Sequence, residues 1–123
     1  MNGKEILVDT NILLYLLKGN ETIEKILQGK RIYISFITEL ELIGFKDITD
    51  KEEQQIASLL NECAVIYLNN NIKLRYKETR KRYHLKLADA VIAATAAAFD
   101  IPLITADKQF KTITDLKLVA YEV

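Results

Sequence analysis

Apolar residues in this chain fall into short runs separated by longer stretches of helical spacing, and that alternation sets the expected architecture. "EILVD" is a compact run of strand formers, and "TNILLYLLKGN" reads as a helix with Thr10 or Asn11 near its start and Gly19 beyond its end. A short amphipathic helix "ETIEKILQ" leads to a second strand, "RIYIS", followed by helical "ITELELIGF". "DKEEQQIASLLNE" carries acids in its first turn and apolar residues at helical spacing, with Asp50 placed to cap it. A third strand is expected in "AVIYL", a fourth in "LITAD" just after Pro102, and a fifth in "LKLVAYEV".

Between the third and fourth strands lie two contrasting helical segments. "NNIKLRYKETRKRYHL" places Ile72, Tyr76, Thr79 and Tyr83 on one face and its cations on the other, so it is expected to lie on the surface. "KLADAVIAATAAAFD" is apolar on nearly all sides and must be buried. Strands alternating with helices imply parallel pairing, with helices on both faces of one sheet. The fold class is therefore α/β, a three-layer α/β/α sandwich around a central parallel sheet of four to five strands. Ligands bind such sheets beyond the carboxyl ends of the strands.

Length and composition refine this picture. The 123 residues are expected to form one domain, residues 1–123, large enough to enclose a core without disulfides or a structural metal. No apolar run can span a bilayer and no segment resembles a signal peptide, so a cytoplasmic protein without a membrane partner is expected. Cys63 and His84 are the only residues of their kinds, which excludes a zinc-type ligand set. Any metal must be held by carboxylates. Formal net charge is +0, yet the segment from Asn69 to Ala88 holds seven cations against Glu78, a local excess of +6 that points to a polyanionic partner.

The carboxylates supply the candidate chemistry. Asp9 ends the first strand and Asp107 follows the fourth, so a parallel sheet puts both at one rim. Glu41 lies on the helix begun by Ser35 and Thr38, and Asp89 lies in the first turns of the apolar helix. Each has a structural reading. Asp9 could cap the first helix, although Thr10 and Asn11 stand ready for that role; "TELE" fits a capping box for Glu41; Asp107 could cap a turn into "KQF". Asp89 resists such a reading, because Leu85, Ala93 and Ala96 are its neighbours at helical spacing.

Two like charges 4 Å apart repel by about 4 kcal/mol at an effective dielectric near 20, so four carboxylates at one rim call for a divalent cation. All-oxygen ligation suits Mg²⁺ or Mn²⁺, and the chemistry that follows is metal-assisted attack on a phosphodiester. An aspartyl phosphoryl-transfer domain built on Asp9 fits less well, since such patterns want a second aspartate where Asn11 stands, or a lysine ending the last central strand.

The ordered segments "LVDTNILL", "ISFITELELIG", "LADAVIAATA" and "TADKQF" resemble the motifs of PIN-domain nucleases, most closely the VapC-type toxins of type II toxin-antitoxin pairs. The resemblance covers essentially the whole chain. It implies a Mg²⁺- or Mn²⁺-dependent endoribonuclease with Asp9, Glu41, Asp89 and Asp107 as catalytic and metal-holding acids, and Asn11, Thr105 and Ser35 in support. It also implies an RNA substrate, a cognate antitoxin whose terminal segment enters the acidic groove, and a homodimer. On this reading Arg75, Arg80, Arg82 and Lys86 contact RNA phosphates. A catalytically silent module on the same frame, binding RNA or protein, is the alternative. The family often carries an acid just before the phenylalanine that is Phe110 here, and this chain has Gln109.

Overall fold

In the computed structural model, which describes residues 4–121, five parallel strands lie in the order β3-β2-β1-β4-β5. The strands are β1 (Glu5–Val8), β2 (Arg31–Ser35), β3 (Ala64–Ile66), β4 (Leu103–Thr105) and β5 (Leu118–Ala120). The helices are α1 (Thr10–Leu17), α2 (Glu21–Leu27), α3 (Phe36–Ile43), α4 (Asp50–Glu62), α5 (Asn70–Arg82) and α6 (Leu87–Phe99), with a 3-10 turn at Lys108–Thr112. The sandwich expected from the sequence is the one observed.

Alternation along the strands creates two cores. Ile6, Val8, Ile34 and Ile104 point to one face, where α1 to α4 cover them with Ile12, Leu13, Ile23, Leu42 and Ile56. Leu7, Ile66 and Leu103 point to the other, against Ile72 of α5 and the alanine-rich surface of α6. Every residue of α6 from Ala90 to Ala96 is buried, as an all-round apolar helix requires. Ile72 is buried and Tyr76, Thr79 and Tyr83 are half-buried, so α5 turns inward the face its spacing foretold.

Three helix starts are capped differently from expectation, and α5 ends at Arg82, before the expected Leu85. Asp9, not Thr10 or Asn11, caps α1, accepting from the Ile12 amide at 3.0 Å. Thr49, not Asp50, caps α4, in a reciprocal capping box with Glu52. Ser35 caps α3 through the Ile37 amide, which leaves Thr38 inside the helix and removes the capping-box role for Glu41. The third strand stops at Ile66, and Tyr67 and Leu68 are exposed beyond it. Gly19 follows α1 with φ +84°, the left-handed conformation that its lack of a Cβ permits. Glu122 and Val123 of the expected fifth strand lie outside the described residues.

Strand order reverses between β1 and β4: from β1 the chain moves to β2 on one side, and β4 later pairs on the other. A crevice opens beyond the carboxyl ends of strands at such a switch point. Asp9 and Asp107 flank it.

Candidate active site

Four connections deliver one acid each to this crevice. Asp9 leaves β1 with its amide bonded to the Ile104 carbonyl of β4 at 3.4 Å, which fixes the backbone between the two central strands. Asp107 follows β4 and caps the 3-10 turn through the Gln109 amide at 2.9 Å. Glu41 comes from the last turn of α3 and Asp89 from the first turn of α6. All four line one cavity of about 490 Å³, together with Thr10, Asn11, Leu14, Gly44, Phe45, Lys46 and Ile92.

The hydroxyls around the acids do the orienting. Thr105 donates to Asp9 Oδ2 and its oxygen accepts from the Asp107 amide at 3.0 Å, so one side chain ties both strand-end acids to β4. Asp9 Oδ1 is taken by the Ile12 amide. Thr10 Oγ1 lies 2.6 Å from Glu41 Oε1 and 3.2 Å from the buried Thr38 hydroxyl. A hydroxyl has one proton, and the shorter contact to a carboxylate claims it.

Burial and mutual repulsion show in the pKa values. Burial holds the Asp9 carboxyl above its ordinary value, the Thr105 hydroxyl and Ile12 amide pull it back, and the charges of Asp89 and Asp107 push it further up. Asp89 is also raised, by burial first and then by Asp107 and Glu41, with Lys86 opposing. Burial is the main cause of both shifts, and repulsion from neighbouring acids adds to it.

The sequence-selected residues do not all meet here. Asn11 lines the cavity; Ser35 is fully buried and serves α3 as its cap, without lining the cavity. Lys86 lies close enough to act on Asp89. Arg75 and Arg82 border a separate shallow cleft between α5 and α6, where Arg82 meets Asp115 at 3.8 Å, and Arg80 lies over the Tyr76 ring. The basic residues of α5 therefore do not line the acids' cavity. Lys46 and Phe45 do line it, and sequence reasoning missed both. They sit in the α3–α4 connection, where no periodic signal marks them.

An implied divalent cation can be tested against the donor set. Four carboxylates with threonine hydroxyls behind two of them, and no sulfur or imidazole, match the hard oxygen ligation of Mg²⁺ or Mn²⁺. Among the described residues, no three His, Cys, Asp or Glu side chains are drawn together into a ready-made metal cluster. The residues lining the cavity fit a cation in kind.

Residues 6–116 match the sequence profile of the PIN domain. The chain belongs to the PIN-domain family. It is 34% identical to ribonuclease VapC1 of Haemophilus influenzae strain R2866 over 125 aligned positions, covering 90% of this chain and 93% of the relative. Among solved structures it is similar to a chain of a toxin-antitoxin complex from Klebsiella pneumoniae, with TM-score 0.81 and 34% identity over 96% of this chain and 99% of that one. A chain of VapBC-1 from nontypeable Haemophilus influenzae superposes with TM-score 0.78 and 31% identity, over 94% and 97% of the two chains. This PIN domain is thus homologous along nearly its whole length to VapC1 ribonucleases. Among the described residues, no helix is long and apolar enough to cross a membrane.

Proposed function

We propose that this PIN domain is a VapC-type endoribonuclease, the toxin of a type II pair, and that it hydrolyses RNA with Mg²⁺ or Mn²⁺ held by Asp9, Glu41, Asp89 and Asp107. The observation that carries the reading is the meeting of four carboxylates from four separate connections in one cavity, with the pKa values of two of them raised. The bound cation supplies Lewis acidity toward a phosphate oxygen and a more acidic attacking water. The chain's own residues do the rest. Thr105 and the Ile12 amide hold Asp9 in place, and Thr105 also fixes the backbone at Asp107. The cations Arg75, Arg80, Arg82 and Lys86 attract the RNA backbone without reading its sequence. Lys46 lies at the cavity wall, near enough to meet a phosphate.

The partner is an antitoxin segment, and a surface suited to it adjoins the acids. Phe45 is shared by the acidic cavity and two grooves, a mixed one where Glu39 and Glu53 border Leu42, Ile48, Ile56 and Leu60, and a more apolar one lined by Leu14, Leu17, Ile48 and Ile56. An amphipathic segment seated there, with a cationic residue toward Asp9 and Asp89, would block substrate. Self-association into a homodimer completes the proposed assembly.

Cleavage of structured RNAs with Mn²⁺, with EDTA, and by the Asp9→Asn and Asp89→Asn variants tests the proposal. Metal-dependent cuts lost in both folded variants are expected. Cutting that survives EDTA or either substitution would rule the mechanism out, and RNA binding without cleavage under any condition would favour the silent module.

A further inference from the structure

Glu41, unlike Asp9 and Asp107, has no backbone amide holding its carboxylate among the hydrogen bonds of the described residues. Asp9 and Asp107 are each restrained by an amide two or three residues along the chain, whereas Glu41 is exposed on the last turn of α3 and is met from another helix, by Thr10 of α1. A glutamate has three free side-chain torsions, so without such a contact its carboxylate would sample much of the cavity mouth. Thr10 itself is backed by Thr38, whose hydroxyl is buried one helical turn before Glu41 on the same face of α3. The result is a closed triangle between α1 and α3: Thr38 to Thr10, Thr10 to Glu41, and the α3 backbone from Glu41 back to Thr38.

From this geometry we infer that Thr10 is a positioning residue for the nuclease site: its hydroxyl, steadied by Thr38, holds Glu41 Oε1 and so would orient the carboxylate for a divalent cation that the acids of this cavity would hold. The inference rests on the metal-dependent reading above and deepens it. It assigns Thr10 no contact with substrate or with the reacting atoms. Its side chain is half-buried at the first position of α1, where the Asp9 cap and not Thr10 satisfies the helix start, so its hydroxyl is free of a capping duty.

The test titrates Mn²⁺ into the metal-free full chain by calorimetry, for wild type, Thr10→Val, Thr10→Ser, Glu41→Gln and the Thr10→Val/Glu41→Gln pair, with Thr10→Ala replacing valine where the branched side chain disturbs the turn. Outer-shell partners of metal ligands are worth about 10- to 100-fold in affinity, and exposure of this one sets the expectation near about tenfold weaker binding for Thr10→Val. Serine restores affinity to within about twofold, and in the Glu41→Gln background removal of the hydroxyl adds nothing further, the non-additivity of a residue acting through its partner. The Glu41 carboxyl carbon resonance in the metal-free protein moves in Thr10→Val and stays in Thr10→Ser. Wild-type Mn²⁺ affinity in Thr10→Val, or an equal loss with and without Glu41, overturns the role of Thr10 and leaves the metal site standing. Absence of Mn²⁺ binding in wild type overturns the reading beneath it.

Discussion

Thr105→Val removes one hydroxyl and keeps the shape, so its effect isolates the bridge between the two strand-end acids. Thr105 and Asp9 are 4% and 5% exposed, which leaves little room for water to replace the lost donor. A hydrogen bond to a charged group contributes about 1.5–3 kcal/mol, and orphaning the half-buried Asp107 amide adds about 0.5–1 kcal/mol, for an expected loss of about 2–4 kcal/mol at pH 7. Against a domain stability of about 5–15 kcal/mol that is a large fraction, readable in urea denaturation with EDTA present. The loss has a pH signature. The Thr105 hydroxyl stabilises the ionised form of Asp9, so the variant's Asp9 rises further above its ordinary value, and the deficit shrinks on acidification as the carboxyl takes up a proton. A loss below about 0.5 kcal/mol at pH 7 would refute the bridge, since that lies within the range of substitutions that disturb no specific contact. A loss of constant size from pH 8 to pH 4 would refute its dependence on the Asp9 charge.

Asp9 and Asp89 both have raised pKa values, so between the unfolded value of 3.8 and the folded values the folded chain holds the extra protons and metal-free stability falls as pH rises; thermal melts against pH should show this, and saturating Mn²⁺ should remove it. Asp89→Asn, by the same reasoning, raises the melting temperature of the metal-free protein at pH 7 while abolishing cleavage. Ile104→Ala opens the core beneath α1 to α4 at a fully buried position and should cost about 2–5 kcal/mol in urea denaturation. Replacing Arg75, Arg80 and Arg82 together with alanine should weaken RNA binding uniformly across sequences and flatten its dependence on salt, by about 0.7 in slope for each lost phosphate contact on single strands. An unchanged slope would remove α5 from the RNA path.

The layers of this fold were legible because each strand alternates between two buried faces and α6 is apolar all round, patterns that survive any choice of capping residue. Asp9 and Asp107 were legible for a related reason: parallel strands deliver their ends to one rim, so residues just beyond "ILV" and "LIT" meet wherever the sheet forms, whereas Glu41 and Asp89 come from helices and Glu41 was selected by the family resemblance. What escaped was decided by single hydrogen bonds. Asp9 competes with Thr10 and Asn11 for one amide, and Thr49 with Asp50 for another, between neighbours of similar capping strength. The bond from Thr10 to Glu41 spans 31 residues, and Phe45 and Lys46 reach the cavity from a connection whose path is set by packing of α3 on α4. No local pattern encodes either.

The proposed metal site needs all four side chains, Asp9, Glu41, Asp89 and Asp107, to hold divalent metal together. Calorimetric titration of Mn²⁺ into the metal-free wild type and into Asp9→Asn, Glu41→Gln, Asp89→Asn and Asp107→Asn tests it most directly, with circular dichroism to establish that each variant is folded. Each of the four substitutions should weaken binding in a folded protein. A wild type that takes up no Mn²⁺, or four variants that bind it as tightly as wild type, would contradict the account.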